Sequence, residues 1–200
     1  MQHVINKENP PRERILAAAT RLFYRHGIRA VGVETIAEAA GTNKMTLYRH
    51  FASKEALVAE YLRKVGQATD RCWERLAQEH PADPLAQLSG WLEEMAGHLV
   101  DGRGCALANA AIELPDKDHP ARRVVEDYKR AQRTRLIRLS EQAGLSNPDV
   151  LADELHLLLE GARVTAQSVG TEGLAARLLQ MGKAMIAAHA SEPGSRSDAE

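Results

Sequence analysis

The chain has 200 residues, of which 44% are hydrophobic and only 4% aromatic, and its formal net charge is -1. That length can bury a core as one domain or as a small domain joined to a larger one, and abundant Ala, Leu, Glu and Arg with little β-branched alternation point to an all-α chain. The overall charge excludes a uniformly basic polyanion binder, yet residues 1–60 carry net +3 and the remainder −4, a basic head on an acidic body.

Residues 1–9 read as a flexible arm without the apolar segment of a secretory leader. Pro10-Pro11 suits a helix start, where a missing N–H costs nothing, and Ile15, Ala19, Leu22, Phe23 and His26 share one face before Gly27 stops the helix. A short second helix spans about Val33 to Ala40 and a third about Asn43 to His50. Ser53 then caps a long helix, with Leu57, Tyr61, Val65, Ala68 and Cys72 as its inward stripe and Glu55 and Glu60 near its positive end. The run His80-Pro81-Ala82-Asp83-Pro84 breaks that helix. Further helices follow at about 84–100, 105–114, 119–143, 148–169 and 172–189, and 191–200 is a polar tail expected to be flexible. No apolar run approaches the roughly 18 residues needed to span a membrane. Cys72 and Cys105 form no CxxC, so a reducing, cytoplasmic setting is expected, with any redox role for either thiol left open.

The stretch Val33 to Leu57, VETIAEAAGTNKMTLYRHFASKEAL, carries the most information. Ile36, Ala37 and Ala40 turn one helix inward, and Leu47 and Phe51 do the same for the next. Gly41-Thr42 between them is short, and the small Ala37 and Ala40 permit a steep, close crossing. Those features define a helix-turn-helix whose second helix is offered to the major groove. Its outer face holds Asn43, Lys44, Thr46, Arg49 and His50, with Tyr48 near the end, all groups that read base edges or grip phosphates. Lys54 stands at the start of the next helix, where a phosphate is favoured. Tyr48 as a packing residue, His50 as a brace for the turn into Phe51, and Arg49 or Lys54 as solvated surface cations are the alternatives.

Ile36-Ala37, Ala40-Gly41, Leu47-Tyr48, His50-Phe51, Ser53-Lys54 and Leu57, preceded by ILAAATRLFYRHG, resemble the DNA-binding domain of the TetR family of regulators. The resemblance covers about the first 60 residues; GCALANAAIELPDKDHPARR is more faintly similar to some sensor domains of the family. It implies an all-α homodimer with a helix-turn-helix domain at residues 10–56 and a ligand-binding and dimerisation domain at 57–190. It also implies binding to a double-stranded DNA operator of two-fold symmetry, usually as a repressor released by a small-molecule effector. Tyr48, His50 and Lys54 would then contact phosphates, and Asn43, Lys44, Thr46 and Arg49 would face the groove. Two positions depart from the family pattern: Gly32 stands where a capping Thr is common, and Met45 replaces a frequently small residue.

In the sensor half, Trp91, Met95, His98 and Leu99 fall on one helical face, as either a core stripe or the wall of an effector pocket. Leu174, Leu178, Met181, Met185 and Ala188 recur every three or four residues, a seam one helix cannot bury alone. With Leu158 and Ala162 of the preceding helix it is expected to form a four-helix dimer interface, so that Leu178→Arg would yield a soluble but monomeric or destabilised protein; packing within one subunit is the alternative. Glu94…His98 and Asp153…His156 are isolated pairings that close no metal-ligand set, and no phosphate loop or nucleophile motif is present, so neither an enzyme nor a metal or cofactor is expected. An interaction protein that lost DNA binding is disfavoured by the outward-facing donors of the second helix. The effector's identity, the operator sequence and the choice between repression and activation are not legible.

Overall fold

The computed structural model describes residues 9–101 and 103–190, so the expectation of flexible termini lies outside the described residues except at Asn9. Among them the chain is helical: α1 (Pro11–His26), α2 (Val33–Ala39), α3 (Lys44–His50), α4 (Lys54–Glu79), α5 (Pro84–Gly97), α6 (Ala106–Glu113), α7 (Pro120–Gln142), α8 (Pro148–Ser168) and α9 (Leu174–Ala188). The helix expected to run to residue 100 ends at Gly97, and His98–Asp101 tighten into a 3₁₀ turn.

Local chemistry sets the boundaries. Pro11 occupies the first turn of α1, Glu13 lies at its positive end, and Arg25 and His26 lie at its negative end. Ser53 Oγ accepts the Ala56 N–H at 3.1 Å at the start of α4, and Asp83 Oδ1 accepts the Ala86 N–H at 2.9 Å at the start of α5. Pro84 and Pro148 open their helices in the same way as Pro11.

The helices gather into two compact units that interleave along the chain, where the sequence had suggested consecutive domains. One takes the described chain up to Asp70 with Arg103–Lys129; the other takes Arg71 to Asp101 and the described chain from Arg130 onward. The first has a core of Ile15, Phe23, Ile36, Leu47, Phe51, Leu57, Tyr61 and Leu62, joined by Leu107, Ala110 and Val125 from α6 and α7. Phe23 and Tyr61 pack ring against ring at 5.5 Å. Burial raises the Tyr61 phenol above its ordinary range. On α4, Leu57, Tyr61 and Cys72 point inward as expected, whereas Ala68 is exposed and Val58, Leu62, Trp73 and Leu76 complete the buried face.

The second unit is organised around Trp73. Its ring stacks on Trp91 at 5.7 Å with 9° between planes, and the Arg135 guanidinium lies over it at 5.5 Å. Its indole N–H donates to Gln132 Oε1 at 2.7 Å, so the one polar atom of a buried ring is satisfied. Leu88, Leu92, Leu136, Leu151, Leu155, Leu159, Leu178 and Ile186 fill the surrounding space. Arg133 grips Asp153 through two bonds of 2.6 and 2.8 Å, tying α7 to α8 at the surface.

Leu178 is therefore a core residue of its own subunit, 2% exposed, and Ala162 is likewise buried; neither side chain is offered to a second chain. Leu178→Ala should cost about 2–5 kcal/mol, the usual penalty for emptying a packed leucine site, read as a lowered urea midpoint. Leu178→Arg should fail to fold rather than yield a soluble monomer, which circular dichroism of the expressed chain will show.

Candidate nucleic-acid interface

The site begins with the crossing of α2 and α3. Ile36, Ala37, Ala40 and Leu47 are all within 2% of complete burial, so the two helices touch through small side chains and one leucine. Gly41 turns the chain at φ 64°, a left-handed conformation in which a side chain would be strained. The Thr42 N–H closes the turn onto the Ala37 carbonyl at 2.9 Å. Arg14 of α1 clips it from outside, Nε donating to the Ala40 carbonyl at 3.1 Å and a terminal nitrogen to the Gly41 carbonyl at 3.5 Å. Phe51, just past α3, is buried under the Arg12 guanidinium at 5.1 Å, and Arg12 also pairs with Glu60 at 2.9 Å. The hydrogen bond from Arg12 holds the Glu60 carboxyl below the usual range.

This scaffold presents the second helix outward. Asn43, Lys44, Met45, Tyr48, Arg49 and His50 are exposed, and Thr46 and Lys54 are half-buried. Each member of the expected DNA-facing set is thus at least partly accessible, with two qualifications. The Asn43 side-chain oxygen accepts the Thr46 N–H at 2.9 Å, capping α3, so only its amide N–H group remains to reach outward. Lys44 is not a free cation: its Nζ lies 2.6 Å from Glu34 Oε1. That hydrogen bond lowers the Glu34 carboxyl and raises the Lys44 ammonium relative to their ordinary values. Gly32 precedes α2 without a side-chain cap, and a Cβ there would meet only Glu34 Oε2, at 3.7 Å. Met45 is 74% exposed in the middle of the presented face.

Glu34, Arg14, Arg103 and Glu113 were missed by sequence reasoning. The first two sit ten residues from Lys44 and about a helix away from the turn, separations that no local pattern signals. The other pair comes from far along the chain. Glu113, the last residue of α6, accepts the Ile28 N–H at 2.6 Å and the Arg29 N–H at 3.0 Å. Arg103 donates to the Tyr24 carbonyl at 3.5 Å and to the Arg25 carbonyl. Between them Gly27, at φ 85°, leaves room for the Glu113 carboxylate, which would stand 3.0 Å from a Cβ.

The residues expected to meet an effector do not converge. Trp91 and Met95 are each 3% exposed within the second unit's core, and Arg163 reaches the Met95 sulfur at 3.6 Å. The His98 side chain is 63% exposed, 3.5 Å from Glu94. It lies at an open, charged cleft of about 420 Å³ lined also by Arg75, Glu79, His80, Glu93 and Glu94. Of the expected dimer residues, Met181 is half exposed, and Leu158, Leu174 and Met185 are partly buried. Leu157 and Val164, which the seam had omitted, are 71% and 60% exposed on α8.

A helix-turn-helix held in an all-helical chain, with its second helix polar and outward, defines a class of DNA-binding regulators. Residues 15–61 match the model of the bacterial regulatory proteins of the tetR family, and residues 83–182 match that of the SbtR-like transcriptional regulator C-terminal domain. The chain belongs to the TetR family and is a DNA-binding transcription regulator. It is 29% identical over 196 residues to the transcriptional repressor KstR2 of Mycobacterium tuberculosis, spanning 88% of this chain and 94% of that one. It is 26% identical over 160 residues to the repressor DhaR of a Mycobacterium species, spanning 76% and 80%. A TetR-family regulator from Streptomyces coelicolor superposes with a TM-score of 0.85 at 27% identity, covering 90% of this chain and 96% of that one. A putative regulator from Streptomyces avermitilis gives 0.76 at 30%, covering 90% and 98%. No described helix is long and apolar enough to cross a membrane.

The cap at Asn43 generates a test. Asn43→Ala should lower thermal stability, the lost cap costing about 1 kcal/mol, and weaken DNA binding in step, whereas Arg49→Ala should leave the melting temperature unchanged. Paired melting curves and gel-shift titrations distinguish the two.

Proposed function

We propose that the chain is a homodimeric repressor that sits on a two-fold operator and leaves it when a small molecule binds. The observation that carries this reading is the exposed polar face of α3, fixed by a turn held by the Thr42 N–H on Ala37 and by Arg14. KstR2 and DhaR, to which the chain is similar, are both repressors, which supports repression over activation. In this reading Tyr48, His50 and Lys54 grip phosphates, and Lys44, Thr46, Arg49 and the amide of Asn43 face the base edges.

Dimerisation is assigned to the outer faces of α8 and α9. Leu157, Gly161 and Val164 form an exposed stripe on one, and Met181, Ala184 and Ala188 form one on the other. Leu158, Leu174 and Met185, partly buried already, border this surface. Small residues at Gly161 and Ala184 allow the backbones of two copies to approach closely. A dimer places two recognition helices about one DNA turn apart or a multiple of it.

The effector is assigned to the second unit, around the buried Trp91 and Met95, with the exposed His98 at the surface beside them in sequence. An apolar ligand that reaches the two buried members must part the Trp73–Trp91 stack, which makes its entry a conformational event. α4 contributes residues to both compact units and is the element that would carry the signal. A coupling of about 1–3 kcal/mol is typical and changes operator affinity about 5–150-fold.

Sites selected by the purified protein from a random duplex library should be two-fold symmetric; an asymmetric consensus sinks the dimeric reading. Lys54→Ala should weaken binding to all sequences alike and make the salt dependence shallower by about 0.9 per subunit. Met181→Arg should give a folded monomer by light scattering, with operator affinity reduced about a hundredfold as the second contact is lost. An effector that releases DNA should change the tryptophan emission, since parting the stack alters the surroundings of both indoles.

A further inference from the structure

The Glu34–Lys44 pair is unexplained by stability. Both side chains are more than half exposed, at 67% and 52%, and an exposed pair of this kind adds little to folding. Its position is the informative part. Glu34 lies in the first turn of α2 and Lys44 is the first residue of α3, so the pair bridges the leading ends of the two helices that present the DNA surface. A carboxylate there repels phosphates, and at 2.6 Å it also occupies the Lys44 ammonium. The other oxygen of Glu34 stands 3.7 Å from where a Gly32 side chain would begin, an ordinary contact distance.

We propose that Glu34 is a specificity-determining residue of the DNA surface, which withholds Lys44 from phosphates and releases it only to a G·C base pair. The chemistry is reciprocal. A lysine donates to guanine O6 and N7, and a carboxylate accepts from the cytosine amino group, so the major-groove edge of a G·C pair replaces each partner that the other loses. On arbitrary sequence no such exchange is offered, and the pair stays closed. This inference rests on the assignment of Lys44 to the groove.

The test uses the full-length protein with two probes, a duplex of random sequence and the operator selected by the wild type. Glu34→Gln keeps the shape and removes the charge. It should tighten binding to the random duplex and steepen its salt slope by about 0.9 per subunit, as the freed lysine neutralises a phosphate. The ratio of operator to random affinity should fall about tenfold per half-site, the value of one lost base contact, with the loss confined to a G·C position in each half-site. In a Lys44→Ala background, Glu34→Gln should leave the salt slope unchanged, because no freed lysine remains to neutralise a phosphate. The proposal is overturned if Glu34→Gln leaves the slope and ratio of the wild type unchanged, or steepens the slope equally without Lys44. Lys44→Ala alone separates the two layers of the argument: if it leaves binding to both probes unaltered, the assignment of Lys44 to the groove has failed and the proposal falls with it.

Discussion

Everything at the DNA surface depends on how closely α2 can approach α3. Ala37 and Ala40 bring no bulk to the crossing, Gly41 reverses the chain in a single left-handed residue, and the carbonyls left over at the turn are taken by Arg14. A larger residue at either alanine would lift α3 away, and with it every donor on its outer face. The polarity of that face is useful only because the inner face is locked.

Charge on this protein is mostly spent at the surface. Arg12–Glu60, Arg75–Glu94, Arg133–Asp153 and Lys183–Glu93 all join exposed or half-exposed partners, so they orient elements more than they stabilise them. In the core the Trp73 indole is held on Gln132, and nearer the surface the Glu113 carboxylate holds two backbone amides. Leaving the indole N–H unpaired inside a core would be costly, and Gln132 removes that cost.

The helix boundaries and the helix-turn-helix were legible because their signals are local. Prolines at first turns, glycines after last turns and a three-four spacing of apolar residues act within a few positions, and α1 to α3 came out within a residue or two of their expected ends. The site was half legible. That α3 would show Lys44, Tyr48 and Arg49 outward follows from its periodicity, but the partner of Lys44 lies on another helix. Leu178 shows the limit from the other side: a heptad-like seam says that a face is apolar, not whether its own subunit or another copy covers it. Trp91 and Met95 were ambiguous for a like reason, since a buried stripe and a pocket wall have the same spacing. Only the packing of Trp73 against Trp91 distinguishes them, and Trp73 lies 18 residues earlier in the chain.

The hold of Arg103 and Glu113 on the end of α1 bears on how such proteins diversify. Ile28 and Arg29 offer amides, and Tyr24 and Arg25 offer carbonyls, to side chains encoded some eighty residues downstream. The reading head is therefore not a portable cassette. A graft that joins these first helices to another relative's body inherits two naked amides and the frayed end of a helix, unless an acidic and a basic residue arrive with the recipient at matching places. Recombination within the family is constrained at a junction that a linear domain map places safely in the clear.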